Sequence, residues 1–181
     1  MPMQENQDAG FRLIERSLGD DAGIGSDTGL VEGPMRYEDL DEVVAIEKVS
    51  FLDPWSHASF ASEVTAGASS WCRVFRDGGR VAGYMIVWFV EDEAHLANIA
   101  VAPWARNQGY AQRLLDRLYE ESYLRGSRMI VLEVRASNSV AVHLYERNGF
   151  IAGGIRKDYY RRPKEDALIM IRFMRPQEAG G

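Results

Sequence analysis

The fold class this sequence predicts is a single mixed α/β domain built on a central, mostly antiparallel sheet, and three observations carry the prediction. Strand-like runs from Trp71 to Val101 are joined through Asp77-Gly78-Gly79-Arg80, a hairpin signal. They lead into one strongly amphipathic helix and a further strand, as in a β-helix-β unit with parallel neighbours. Two last strand-like segments after Gly149 return the chain to antiparallel pairing. At 181 residues the chain fits one domain and can bury a core.

Taken in order, residues 1–34 read as an acidic, glycine-rich extension, flexible by composition. They hold seven acidic residues against Arg12 and Arg16, together with six glycines. Within them only Phe11 to Leu18 has an apolar pattern. From Met35 the text becomes regular. Leu40, Val43, Val44 and Ile46 share one helical face between Asp39 and Phe51. Asp53-Pro54-Trp55-Ser56 interrupts that helix, and Ser56 is placed to cap a short second helix through Phe60 and Val64. Strands are expected over Trp71 to Phe75, Val81 to Val90 and Ala94 to Val101, the last ended by Pro103. Gly109 to Arg125 is the clearest helix, with Ala111, Leu114, Leu115 and Leu118 on one face and Gly126 as its left-handed stop. Met129 to Arg135 is a β-branched-rich strand, Ser137-Asn138 can cap a helix reaching Arg147, and final strands are expected near Phe150 to Arg156 and Ala167 to Phe173. The domain is expected to span residues 35–174, with 175–181 a tail.

Composition narrows the function classes. The chain is 46% hydrophobic and 27% charged, as in a soluble globular protein. Its longest apolar run, Val81 to Val90, is strand length and far short of the roughly 18–20 residues of a membrane helix. The start, Met1-Pro2-Met3-Gln4-Glu5, lacks the basic and apolar regions of a signal peptide, so a cytoplasmic location is the expectation. The single Cys72 excludes an intramolecular disulfide and a multi-cysteine zinc site, and His57, His95 and His143 have no metal-ligand spacing. The net charge of −6 is concentrated in the first 34 residues, leaving a near-neutral remainder that argues against non-specific nucleic-acid binding. One basic stretch stands out, formed by Arg156, Lys157, Arg161, Arg162 and Lys164.

Arg106-Asn107-Gln108-Gly109-Tyr110-Ala111 lies between a strand and the strongest helix. Exposed N–H groups at a helix start, reinforced by the helix dipole, suit a pyrophosphate. Gly109 permits close backbone approach and the small Ala111 lets the first turn pack. The spacing is neither that of the dinucleotide-binding G-x-G-x-x-G nor that of a P-loop, which ends in Gly-Lys-Ser/Thr. By itself the segment is equally an ordinary turn.

With the preceding run Leu96-Ala97-Asn98-Ile99-Ala100-Val101-Ala102-Pro103, this loop resembles the coenzyme A loop of the GNAT superfamily of N-acetyltransferases. Leu132-Glu133-Val134-Arg135-Ala136-Ser137-Asn138, Leu144-Tyr145-Glu146, Gly149-Phe150, Asp53-Pro54-Trp55-Ser56 and Arg156-Lys157-Asp158-Tyr159-Tyr160 resemble its bacterial ribosomal-protein-alanine N-acetyltransferase (RimI) branch. The likeness covers Met35 to about Met174; the acidic extension has no counterpart in it, and Asp53 stands where a hydrophobic residue is also common. It implies a sheet splayed between two central parallel strands, ending near Val101 and Arg135, where acetyl-CoA enters. It further implies transfer of acetyl to a protein N-terminal α-amine, that of the N-terminal alanine of a small-subunit ribosomal protein, without a metal. Under this resemblance the backbone of Ile99, Ala100 and Val101 and the side chain of Asn138 would hold the pantetheine arm, and residues 106–111 the phosphates.

Amine acetylation needs a proton acceptor and a proton donor for the departing thiol. Glu133, a carboxylate in an otherwise buried strand, is the candidate base; the alternative is a structural ion pair, for instance with Arg135. Tyr145, twelve residues on, is the candidate acid; the alternative is a core aromatic of an amphipathic helix. Asn138 also reads as a plain helix cap. Trp55, Tyr159 and Tyr160 resemble residues lining the family's peptide groove, and each is equally compatible with the core. Cys72 reads as a small buried hydrophobe. Rival functions are acetylation of lysine side chains or of a small amine, and binding of acyl-CoA as a sensor without turnover.

Overall fold

The computed structural model describes residues 29–174. A seven-stranded sheet runs through it in the order β1-β2-β3-β4-β5-β7-β6. The strands are β1 (Leu30–Pro34), β2 (Ser70–Asp77), β3 (Arg80–Val90), β4 (Glu93–Val101), β5 (Met129–Arg135), β6 (Ile151–Arg161) and β7 (Lys164–Phe173). Helices α1 (Leu40–Ser50) and α2 (His57–Thr65) precede β2, α3 (Tyr110–Leu124) links β4 to β5, and α4 (Ser139–Arg147) links β5 to β6. Every neighbouring pair is antiparallel except β4 and β5. The mixed α/β class and mostly antiparallel sheet are as the sequence predicts.

Helices cover both faces of the β2–β4 region. Tyr84 and Asn98 reach Glu47 of α1, and Trp88 reaches Glu63 of α2, which fixes that face. Side chains alternate along a strand, so Gly83 faces the other way, onto α3. A Cβ there would stand 3.0 Å from the Ala100 carbonyl and 3.2 Å from Leu114, so only glycine lets α3 lie this close. With both faces covered, β3 is buried continuously from Val81 to Val87 and shows no polar alternation. The core is formed there with Leu114, Leu115 and Leu118, the predicted face of α3.

The structure moves two boundaries. Leu30–Pro34, inside the expected extension, is an edge strand in register with β2 from Leu30↔Asp77 to Pro34↔Arg73. Its Leu-Val-Glu-Gly-Pro text is poor in strand formers, and a proline is tolerated because the strand is an edge. Arg73 and Glu32 form an ion pair across that junction. The closing hairpin is also longer than expected, so Tyr159 and Tyr160 lie on a strand. Register shifts between Ala152 and Gly154 and between Arg156 and Tyr160 break the two-residue period by which strands are read. Phe11 to Leu18, the rest of the acidic extension and residues 175–181 lie outside the described residues.

Candidate active site

The parallel pair β4–β5 is joined only at its start, where Glu93 faces Met129, Ala94 faces Ile130 and His95 faces Val131. Beyond that point the strands part. The register shift that places Ile86 opposite Asn98 but Val87 opposite Leu96 leaves Ala97 as an extra residue in β4. Such a bulge bends a strand and ends pairing. The edge of β4 from Leu96 to Val101 is thus free of β5, at the carboxyl ends of parallel strands where open α/β sheets take ligands. Ile99, Ala100 and Val101 have buried side chains, so what they offer is backbone.

The chain then passes a short turn, Pro103–Ala105, into the loop before α3. Asn107 (φ 66°) and Gly109 (φ 79°) are both left-handed, and Gly109 is the N-cap of α3 with no side chain capping its N–H groups. In contrast, Ser56 accepts from Ser59 N at the head of α2, and Asn138 accepts from Ala141 N at the head of α4. The first N–H groups of α3 therefore lack the side-chain partner that the other two helices have. A Cβ on Gly109 would meet no atom within 4 Å, so the approach to the loop is open. Uncapped donors, the dipole and open access fit a phosphate group.

Side chains brace this loop from several directions. Arg106 donates to the Val101 carbonyl (3.3 Å) and to Ser50 Oγ (3.5 Å), and Gln108 donates to the Trp104 carbonyl (3.0 Å). The Tyr110 hydroxyl donates to Asp77 Oδ2 (2.7 Å) at the tip of the β2–β3 hairpin, and burial followed by that carboxylate raises the phenol's pKa. On the same hairpin, the Arg80 guanidinium lies 4.6 Å from the Trp104 ring. Ala111 packs partly buried against the core.

Glu133 is buried on β5, on the face shared with Arg135. Its ion-pair partner is Arg156 of β6. Arg135 bonds instead to Glu165 (3.0 Å) and to the Pro163 and Arg162 carbonyls. The suggested pairing within one strand is therefore replaced by a pairing across the sheet. Glu133 Oε2 is buried and has no hydrogen-bond partner. Tyr159 sits against this carboxylate: burial first, and then the Glu133 charge, push its pKa far above the ordinary phenol value.

Tyr145 lies on α4 within the core, edge-on to Phe150 at 5.4 Å. Burial, and secondarily the nearby Tyr160 and Tyr119, push its pKa well above 10, so its hydroxyl stays protonated throughout the neutral range. Tyr160 is buried beneath the Arg135 guanidinium, 3.9 Å from its ring, and meets Tyr159 edge-on at 5.2 Å. Tyr159 thus stands between Tyr160 on one side and Glu133 on the other. Trp55 is buried against Phe60 and stacked on Trp88 at 6.4 Å, so most of its surface belongs to the core. Asn138 caps α4 through its Oδ1 at 3.1 Å. The Cys72 thiol is buried and raised to about 11, chiefly by desolvation, which leaves it inert. In the basic stretch Arg156, Lys157 and Lys164 are matched to Glu133, Asp166 and Asp158.

Sequence reasoning missed Glu47, Asp77 and Arg156. Glu47 is fully buried and accepts from the Trp55 amide (2.8 Å), the Tyr84 hydroxyl and Asn98 Nδ2 (3.3 Å). A signal was present: Leu40, Val43, Val44 and Glu47 follow i, i+3, i+4, i+7, which puts a carboxylate on the apolar stripe. Arg156 and Asp77 carry no comparable signal.

Comparison with known proteins agrees with this geometry. Residues 40–150 match the Acetyltransferase (GNAT) family. The [ribosomal protein bS18]-alanine N-acetyltransferase of Escherichia coli K12 is 40% identical over 134 residues, 73% of this chain and 89% of that protein. Its Haemophilus ducreyi counterpart is 34% identical over 140 residues, 76% of this chain and 95% of the relative. The crystal structure of the E. coli ribosomal-protein-S18-alanine N-acetyltransferase superposes with a TM-score of 0.74 at 35% identity, covering 84% of this chain and 99% of that one. Ard1 from Thermoplasma volcanium, at 21% identity and a TM-score of 0.76, shares the fold. The parted parallel strands, the uncapped loop before α3 and these relatives together lead to one conclusion: the chain belongs to the GNAT family of acetyltransferases and is an N-acetyltransferase.

Proposed function

We propose that this enzyme transfers acetyl directly from acetyl-CoA to the N-terminal α-amine of a protein, within a ternary complex, and that its acceptor is the N-terminal alanine of a small-subunit ribosomal protein. The observation that carries the reading is Glu133, a buried carboxylate with one oxygen unpartnered on the strand where β4 and β5 part. The relatives named for acetylation of bS18 supply the acceptor, and such an acceptor puts the reaction in the cytoplasm.

Acetyl-CoA, when bound, supplies an activated thioester carbonyl. The backbone of Arg106 to Ala111 would hold its phosphates, the freed edge of β4 at Ile99, Ala100 and Val101 its pantetheine amides, and Asn138 would contribute there from the head of α4. Trp55, Tyr159 and Tyr160 would border the acceptor peptide, Trp55 and Tyr160 largely as the floor beneath it. An α-amine has a pKa of about 7.7–8.0, so an appreciable fraction is neutral near pH 7.5 and one carboxylate suffices as base. Glu133 takes the amine proton at Oε2. Tyr145, held protonated by burial, supplies the hydrogen bond and the proton at the departing sulfur.

A peptide panel tests the acceptor. Alanine-initiated peptides with free N-termini are expected to gain one acetyl on the α-nitrogen, located by tandem mass spectrometry. The same peptides blocked at the N-terminus and carrying internal lysines are expected to stay unmodified. Acetylation of lysine instead, or thermal stabilisation by CoA with no product from any acceptor, would overturn the reading. Tyr145→Phe is expected to lower kcat about 10- to 100-fold without unfolding; an unchanged kcat makes Tyr145 a core aromatic.

A further inference from the structure

The two oxygens of Glu133 are treated unequally. Arg156 donates from Nη1 to Oε1, whereas Oε2 is buried and has no partner. The Glu133 side chain is 8% exposed and that of Arg156 55%, so an inner carboxylate is held by an outer cation. The same guanidinium lies 5.0 Å over the ring of Tyr159, the phenol that sits against Glu133. Arg156 stands at the start of a register shift that runs to Tyr160, and bulges of this kind re-aim side chains near functional sites.

Surrounding charges leave this job to Arg156. From β6, Arg156 and Tyr159 face the carboxylate. Along β5 the next side chain on that face is Arg135, engaged by Glu165 of β7, and directly opposite on β7 is the apolar Ile169. From β4 the titratable groups on this face are His95, beside Val131, and Glu93, beside Met129, bonded to each other at 2.7 Å. Glu47 of α1 lies over the same face, at Asn98. The terminal torsion of a glutamate is broad, so a carboxylate left with the Tyr159 hydrogen bond and without the Arg156 cation would sample more orientations.

We propose that Arg156 is a positioning residue of the acetyl transfer: by holding Oε1 it presents Oε2 to the acceptor amine. The inference rests on Glu133 as the base. Removing the cation leaves a carboxylate that is freer to turn.

Full-length Arg156→Gln and Arg156→Lys, assayed with acetyl-CoA and an alanine-initiated peptide, test it. In Arg156→Gln, kcat/KM for the peptide is expected to fall about 10-fold, with KM for acetyl-CoA and Tm unchanged. Arg156→Lys keeps a cation on that side of the carboxylate and should restore part of the rate. An unchanged kcat/KM, or a loss that Arg156→Lys does not relieve at all, overturns the proposal. So does a loss matched by a weaker KM for acetyl-CoA or a lower Tm, which would make Arg156 a structural tie. Glu133→Gln, measured alongside, separates the two levels. Full activity there removes the base and this inference with it, whereas an inactive Glu133→Gln beside an unaltered Arg156→Gln removes the inference alone.

Discussion

Glu47 and Glu133 are both buried carboxylates on one face of the sheet, and the protein surrounds them differently. Glu47 is reached by neutral donors from three places: the Trp55 amide after α1, the Tyr84 hydroxyl of β3 and the Asn98 amide of β4. Glu133 is held on one side by a half-exposed cation and left without a partner on the other. Buried charge is costly unless hydrogen-bonded, so the first arrangement makes a joint between helix and sheet. In the second, one oxygen is left orphaned, as the proposed role of proton acceptor requires. Neighbours, rather than residue type, separate the fully bonded carboxylate from the one proposed as base.

The largest effect that would test this contrast is on turnover. Glu133→Gln preserves shape and removes the base, so kcat is expected to fall about 10²- to 10⁴-fold with Tm nearly unchanged. Equal losses of kcat and Tm would instead put Glu133 in the same class as Glu47. Next comes stability. Glu47→Ala strands three buried donors, and the loss of about 3 kcal/mol should lower Tm by roughly 6–12 °C in a calorimetric scan. A Tm within a degree or two of the parent would mean that water replaces the carboxylate. The smallest effect concerns the loop. Asp77→Asn weakens the brace on Tyr110, and KM for acetyl-CoA is expected to rise about 3- to 5-fold, near 1 kcal/mol, while KM for the peptide stays put. A rise in the peptide KM alone would place the hairpin on the acceptor side.

Legibility in the sequence followed the range of the interactions. The face of α3, the Ser56 and Asn138 caps and the Asp77–Arg80 turn are decided within a few residues, and the structure has each of them. β1 escaped because its residues are weak strand formers and only the register of β2 makes them a strand. The closing hairpin looked short because its bulges erase the alternation. Glu133 is conspicuous as a carboxylate in an apolar strand, yet its partner lies 23 residues away, out of reach of the local pattern that offers Arg135 as an example.

By itself, then, the sequence determined the fold class, the loop that opens α3 and the candidate pair Glu133 and Tyr145, because periodicity, caps and an out-of-place charge are written locally. The tertiary structure alone decided how far β4 and β5 stay paired, which cation meets Glu133, and that Glu47, 51 residues from Asn98, ties α1 to the sheet. Those outcomes depend on register, bulges and the closeness of packed faces. Such quantities are set by the competition among all pairings of the chain, and a local pattern carries no record of them.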